Sequence, residues 1–217
     1  MLEKILNLLY PNVCGFCNKI SNEALCKKCE LMIKEYEIKE KENYKVENGK
    51  MYFDECFSLL SYKGIVREAF IKYKFQNKAY LYKTFSKIVL KNEKICGFLK
   101  KYDIIIPVPV HKERKNKRGY NQTELIAKEI SRKLNIELQK NVLIKIVNSK
   151  PQSELSKTER KYNIKDAFKV QNLQKIKGKN ILIFDDIYTT GSTVNECAKL
   201  LKKAGANKIG VLTIAKD

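Results

Sequence analysis

One histidine, His111, is all that this 217-residue chain offers by way of imidazole. It stands in a run of cations, where a loop residue is a plainer reading than a general base. Acidic residues are scarce as well: Asp and Glu total 24 against 44 Lys and Arg, a formal net charge of +20. That balance favours anionic partners such as polyphosphates, nucleic acid or an anionic membrane surface. The alternative is heavy general use of Lys beside Asn and Ile, because the lysines spread along the chain and do not gather in one arm. No apolar run approaches the ~18–20 residues of a membrane-spanning helix. Leu2–Leu9 is short, contains Glu3 and lacks a cleavage site, so it does not read as a secretory signal. A cytoplasmic protein, not an integral membrane one, is expected. Twelve Tyr and nine Phe are present, but no strand carries the closely spaced aromatics of a dedicated base-stacking platform. Hydrophobic residues make up 44% of the chain, which excludes global disorder and allows one α/β domain with a small appendage.

The densest chemistry lies in Ile181–Thr193. Ile181 to Phe184 is an unbroken apolar run that reads as a strand buried on both faces. Asp185 and Asp186 follow at its carboxyl end, where open α/β sheets bind ligands. Thr189, Thr190, Gly191, Ser192 and Thr193 then lead into an amphipathic helix with Val194, Cys197, Leu200 and Leu201 on its apolar face. A helix start presents unpaired N–H groups and a positive dipole end, suited to phosphate. Gly191 lets the backbone approach that phosphate, and the hydroxyls add donors. Two carboxylates beside a phosphate make sense if they bind hydroxyls, or a Mg²⁺ that the ligand brings. A phosphate at one end and a diol in the middle describe a ribose 5-phosphate. The stretch resembles the phosphoribosyl pyrophosphate (PRPP) motif of type I phosphoribosyltransferases.

Near the N-terminus, past a short amphipathic helix expected over Leu2–Tyr10, two Cys-x-x-Cys knuckles stand eight residues apart: Cys14 with Cys17, and Cys26 with Cys29. The spacing suggests one tetrahedral thiolate site for structural Zn²⁺, a zinc ribbon. An iron–sulfur cluster, a disulfide pair and a redox pair are the alternatives. Cys56, Cys96 and Cys197 read as packed or surface thiols. The charged stretch Glu37–Lys50 reads as a linker, dividing residues 1–45 from a main domain over 46–217. In that domain Ile104–Val110 reads as a second buried strand. His111–Gln122 reads as a cationic loop at its carboxyl end, placed where a diphosphate would sit. Asn148–Asp166 is polar and long for a connector, as lids often are. Strands alternating with helices over 104–214 predict a parallel sheet core.

Four further features narrow the family: the four-Cys N-terminus, Pro107-Val-Pro109 with its basic loop, Arg118-Gly-Tyr-Asn-Gln122, and Pro151-Gln152 with Leu155, Arg160 and Asn163. In this order they resemble the ComF family of bacterial competence proteins over essentially the whole chain. The resemblance implies a type I phosphoribosyltransferase fold with an N-terminal zinc ribbon. It also implies a cytosolic role in natural transformation, beside the competence helicase and channel proteins, where single-stranded DNA is handled. It assigns the ribose hydroxyls to Asp185 and Asp186 and the 5-phosphate to Thr189–Thr193. The diphosphate, with Mg²⁺, falls to Val110, His111, Arg114, Lys115 and Arg118, and the lid to Gln152 and Arg160. The family often has an Arg ahead of the Pro-Gln pair; here the nearby cations are Lys145 and Lys150. No residue set resembles a nucleobase pocket, so the acceptor stays unnamed. Turnover of PRPP, PRPP sensing without turnover, and a single-stranded-DNA adaptor stand as competing readings.

Overall fold

The computed structural model describes residues 13–39, 44–45, 51–148 and 166–217. The helix expected over Leu2–Tyr10 and the lid residues Gln152 and Arg160 lie outside them. The strands are β1 (Tyr44–Lys45), β2 (Glu55–Ser61), β3 (Ile104–Pro107), β4 (Glu137–Leu138), β5 (Leu143–Lys145), β6 (Phe168–Val170), β7 (Ile181–Tyr188) and β8 (Ile209–Lys216). Six form one sheet in the order β1-β2-β8-β7-β3-β4, and β5 with β6 forms a separate antiparallel pair. Within the large sheet every pairing is parallel except that of β1 with β2. The parallel core expected from the strand–helix alternation is therefore present.

The helices are α1 (Lys27–Ile33), α2 (Gly64–Phe75), α3 (Leu81–Lys91), α4 (Glu93–Leu99), α5 (Lys112–Arg118), α6 (Gln122–Leu134) and α7 (Ser192–Lys203). They cover both faces of the sheet, which is why the central strands can be apolar throughout. Successive strand residues point to opposite faces. Ile181 and Ile183 join a core with Val194, Cys197, Ala198 and Leu201 of α7 and with Phe168 of β6. Leu182 and Phe184 join the other core, with Phe70 of α2, Phe85 of α3 and Ile126 of α6.

The cysteine module has no separate core among the described residues. Cys14, Phe16, Leu25, Cys29 and Ile33 are buried in the same cluster as Phe70 and Phe85. Phe16 meets Phe85 edge to face at 6.3 Å, and the Thr84 hydroxyl donates to the Ala24 carbonyl at 2.7 Å. A module too small to bury its own apolar surface thus shares that of α3.

Two local expectations are corrected. The basic stretch after β3 is a helix, α5, and not a loop. Lys, Arg and Glu are good helix formers, His111 caps the start by accepting the Glu113 N–H, and Gly119 ends it in the left-handed region at φ +84°. Three cations fill its last turn, where the helix dipole favours them. The strand expected to stop at Phe184 runs on to Tyr188, because β8 continues beside it and pairs Asp185 with Thr213 and Tyr188 with Lys216.

Candidate functional site: an acidic pair straddling the sheet edge

β3 ends at Pro107, opposite Phe184, and the Val108 N–H closes the strand by donating to the Phe184 carbonyl at 2.9 Å. Beyond that point β7 has a ladder partner only on its β8 side. Asp185 and Asp186 occupy this stretch, past the carboxyl end of β3. As neighbours on a strand they face opposite ways. Asp186 meets the α2 side, where Lys74 Nζ lies 2.8 Å from its Oδ2 and Arg118 adds a second positive charge. Asp185 meets the α7 side, with Cys197 and the Lys145 ammonium in its surroundings. Burial first, and the Asp186 carboxylate second, hold the Asp185 carboxyl well above the usual carboxylate range; the Asp186 N–H and the charges of Lys74 and Lys145 oppose that shift. The Asp186 N–H donates to Asp185 Oδ1 at 2.8 Å.

Thr189–Thr193 turn from β7 into α7. Gly191 has φ +73°, a left-handed conformation that favours glycine, and a Cβ there would lie 2.3 Å from the Tyr188 hydroxyl, so a side chain would also have to displace the Tyr188 ring. The Thr190 and Ser192 hydroxyls bond one another at 2.8 Å, and the Thr190 hydroxyl accepts the Ser192 N–H at 3.4 Å, while Gly191 at the N-cap of α7 has no side chain to cap it. Asp185, Tyr188, Thr189, Gly191, Ser192 and Thr193 line a small cavity of about 10 Å³, room for roughly one water. A larger cavity of about 270 Å³ lies at Leu25, Ile33, Phe57, Leu60 and Ile88, between the cysteine module and β2. None of the expected ligand residues lines it.

Arg118-Gly-Tyr-Asn-Gln122 works as a buckle. Asn121 caps α6 by accepting the Thr123 N–H at 3.2 Å, and its amide donates to the Val108 carbonyl at 3.2 Å. The Thr123 hydroxyl donates to the same carbonyl at 2.7 Å. The Tyr120 hydroxyl donates to the Tyr73 carbonyl at 2.5 Å, and the Tyr73 hydroxyl returns to the Gln122 carbonyl at 3.0 Å. Together these bonds fasten the α5–α6 turn to the end of β3 and to the last turn of α2, which carries Lys74.

The five expected diphosphate residues do not act alike. Arg118 is half-buried, stacked 5.7 Å from the Phe75 ring centroid, and faces Asp186. Arg114 lies close enough to both Arg118 and Lys145 to act on them electrostatically. Val110 stands half-buried between β3 and α5. Lys115 is turned to Glu124 at 2.9 Å, and His111 is engaged as the α5 cap. The sequence reading missed Lys74, one of many lysines on helix surfaces, and Tyr73. It noted Lys145 only as a departure from the family pattern.

In the cysteine module the four Sγ atoms of Cys14, Cys17, Cys26 and Cys29 lie within 4.8 Å of one another, and Cys17 and Cys26 are 3.9 Å apart. Tetrahedral Zn–S bonds of ~2.3 Å put sulfurs roughly 3.8 Å apart, so these residues fit one structural metal such as zinc. All seven cysteines are free of disulfides. Burial raises the Cys14 thiol, but N–H donors from Cys17, Cys26 and Phe16 outweigh it and bring it down to about 7. Burial and the neighbouring sulfurs push Cys29 the other way. Four thiolates this close repel one another without a cation among them.

A phosphoribosyl transferase domain model matches residues 122–217, which include the acidic pair and the hydroxyl turn. Competence protein F of Haemophilus influenzae is 34% identical over 149 residues, covering 67% of this chain and 65% of that protein, just under two thirds of its length. Competence protein ComFC of Bacillus subtilis is 27% identical over 218 residues, covering 98% of this chain and 81% of that protein. Among solved structures, a glutamine PRPP amidotransferase from B. subtilis complexed with ADP and GMP matches 63% of this chain and 26% of its own at 17% identity and a TM-score of 0.41. At that score the likeness decides nothing further.

Proposed function

Because this chain belongs to the ComF family of competence proteins, we propose that its carboxyl sheet edge binds PRPP with Mg²⁺ and transfers the phosphoribosyl group during DNA uptake. The observation that carries this reading is the charge pattern at the acidic pair. Three cations, Lys74, Arg118 and Lys145, act on the two carboxylates, and Arg114 stands beside two of them, one strand end away from a hydroxyl-rich helix start. That surplus of positive charge suits a polyanion with a diol, and does not suit a neutral sugar or a bare metal ion.

In this reading the Thr189–Thr193 turn holds the 5-phosphate through N–H and hydroxyl donors. Asp185 and Asp186 accept from the ribose hydroxyls. Arg118 and Arg114 face the diphosphate, with Val110, His111 and Lys115 nearby. Gln152 and Arg160 belong to the closing segment. Bound Mg²⁺ supplies further charge neutralisation at the diphosphate. The chain's own contribution is charge stabilisation as the C1–diphosphate bond lengthens, and exclusion of water. Structural zinc fills the cysteine module, residues 1–45, and the phosphoribosyltransferase-like part spans 46–217. Among the described residues no helix is long and apolar enough to cross a membrane; the proposed setting is the cytoplasm, with the competence helicase and channel proteins as partners and single-stranded DNA as a second anionic ligand. Mass-spectrometric detection of diphosphate released from PRPP, with a panel of acceptors and with single-stranded DNA, tests turnover. Calorimetry with PRPP and Mg²⁺ tests binding alone, and binding without release would favour a PRPP sensor.

A further inference from the structure

We propose that Phe85 and Tyr73 are positioning residues that tie the cysteine module to the acidic sheet edge, so that metal loading of the module and PRPP binding at the edge favour one another. The choice of ligand rests on the reading of the site as one for PRPP; the tie itself does not.

The module is pressed onto α3. Phe16 stands between Cys14 and Cys17, and its N–H donates to the Cys14 sulfur. A Cβ on Gly15 would lie 2.3 Å from the Thr84 hydroxyl oxygen and 2.5 Å from the Leu81 side chain, so the backbone of the first knuckle runs directly against the helix. The Thr84 hydroxyl and the Lys87 ammonium donate to the Ala24 and Leu25 carbonyls, just before the second knuckle, at 2.7 and 3.4 Å. The Tyr80 hydroxyl donates to the Asn18 side chain at 3.0 Å. From there the contacts continue through rings. Phe85 takes the edge contact with Phe16, stacks on Phe70 of α2 at 4.4 Å and meets Tyr73 at 5.5 Å.

Tyr73 joins this series to the site. Its ring stacks on Tyr120 at 5.7 Å, and its hydroxyl donates to the Gln122 carbonyl at the start of α6. Its own carbonyl accepts from Tyr120, and the next residue, Lys74, holds Asp186. A Phe here would fill the same core; the hydroxyl fixes the α5–α6 turn as well. Phe70, Phe85 and Tyr73 are fully buried, and an interior packed this closely transmits displacement instead of absorbing it. Four thiolates that repel without a cation would release Phe16 from its knuckle and take a support from Phe85. The core around α7 is a different one, so α7 lies off this route. A metal that favours the PRPP-binding arrangement is in turn bound more tightly, by the same factor, when PRPP is present.

The test uses the full chain, loaded with zinc or stripped by a chelator selective for zinc over Mg²⁺. PRPP affinity in Mg²⁺ is read by calorimetry, and zinc affinity by competition with a chromogenic chelator, with and without saturating PRPP. Hydrogen exchange is followed at 70–75 and 118–123 and, as the control, at 192–203. Stripping is expected to weaken PRPP binding about fivefold or more, and PRPP to tighten zinc binding by the same factor. Exchange should rise at 70–75 and 118–123 and stay unchanged at 192–203. Phe85→Leu and Tyr73→Phe, checked for folding by circular dichroism, should keep zinc and bring the factor toward one; Phe16→Leu serves if Phe85→Leu does not fold. PRPP affinity and exchange that ignore stripping overturn the proposal and leave the PRPP reading standing. An undiminished factor in the folded variants, or an equal rise in exchange at 192–203, shows coupling through general loosening and also overturns it. Loaded wild type that binds no PRPP, yet shows the expected exchange response and loses it in the variants, overturns the PRPP reading alone. Neither binding nor response overturns both.

Discussion

The two ends of the sheet use the same residue types for opposite purposes. At the amino edge, Asp54 Oδ2 accepts the Ile209 N–H at 2.7 Å and meets Lys202 at 3.3 Å. Asp103 accepts the Asn180 N–H at 2.8 Å, and Lys208 pairs with Glu55. Each of these carboxylates has a local donor, and together they close the strand ends. At the carboxyl edge Asp185 and Asp186 stand side by side, one raised toward protonation, with more cations around them than they can use. The hydroxyls of Thr190 and Ser192 meet each other there. The first arrangement is satisfied by the chain itself. The second leaves Asp185 buried and raised beside a second carboxylate, a perturbation of the kind that sites show more often than strand caps.

Substitutions at the two ends should therefore separate stability from binding. Asp54→Ala leaves the Ile209 N–H without its acceptor and should lower stability by about 1–3 kcal/mol with PRPP affinity unchanged; chemical denaturation and calorimetry on the same sample read both.

Asp185→Asn should act the other way. The folded-state carboxyl titrates above its unfolded value of 3.8, so the folded chain holds a proton that the unfolded chain releases. Wild-type stability then falls as pH rises from the unfolded pKa through the raised folded one, and below both the difference vanishes. The Asn variant escapes this. It should be more stable by about 1–2 kcal/mol at pH 8, with the gain fading toward pH 4, and it should bind PRPP poorly. Melting temperatures across that range check the sign; a variant less stable than wild type at pH 8 would mean that the ionised pair is comfortable without a ligand.

The smallest effect is expected at Thr190→Val. Its hydroxyl bonds Ser192 within a half-buried turn of the main chain, so stability should change by about 0.5 kcal/mol, while affinity for ribose 5-phosphate falls by about 1 kcal/mol.

How much of this was legible in the sequence depends on the range of the interaction. Ile104–Ile106 and Ile181–Phe184 announced buried parallel strands because an unbroken apolar run has few other places to go, and the acidic pair followed directly from the second of them. The cysteine knuckles were legible through spacing alone. The helix at Lys112–Arg118 was not, because it has no apolar face to set a period; its evidence was local, in the His111 cap, the good helix formers and Gly119. Lys74 and Lys145 were hidden for a different reason. They reach the acidic pair from distant parts of the chain, and among 44 Lys and Arg nothing local marks the ones that the sheet edge will gather. The sharing of one core by Phe16 and Phe85 was likewise a tertiary fact, invisible in a module that reads as independent.

The contrast between the two ends is tested most directly by titrating PRPP with Mg²⁺ into wild type and into the double variant Asp185→Ala with Asp186→Ala, with a thermal melt of each. Saturable binding by wild type, none by the variant, and a melting temperature equal to or above that of wild type are expected. Equal affinity in the two proteins, or a variant that unfolds, would make the acidic pair a structural feature like Asp54 at the opposite edge.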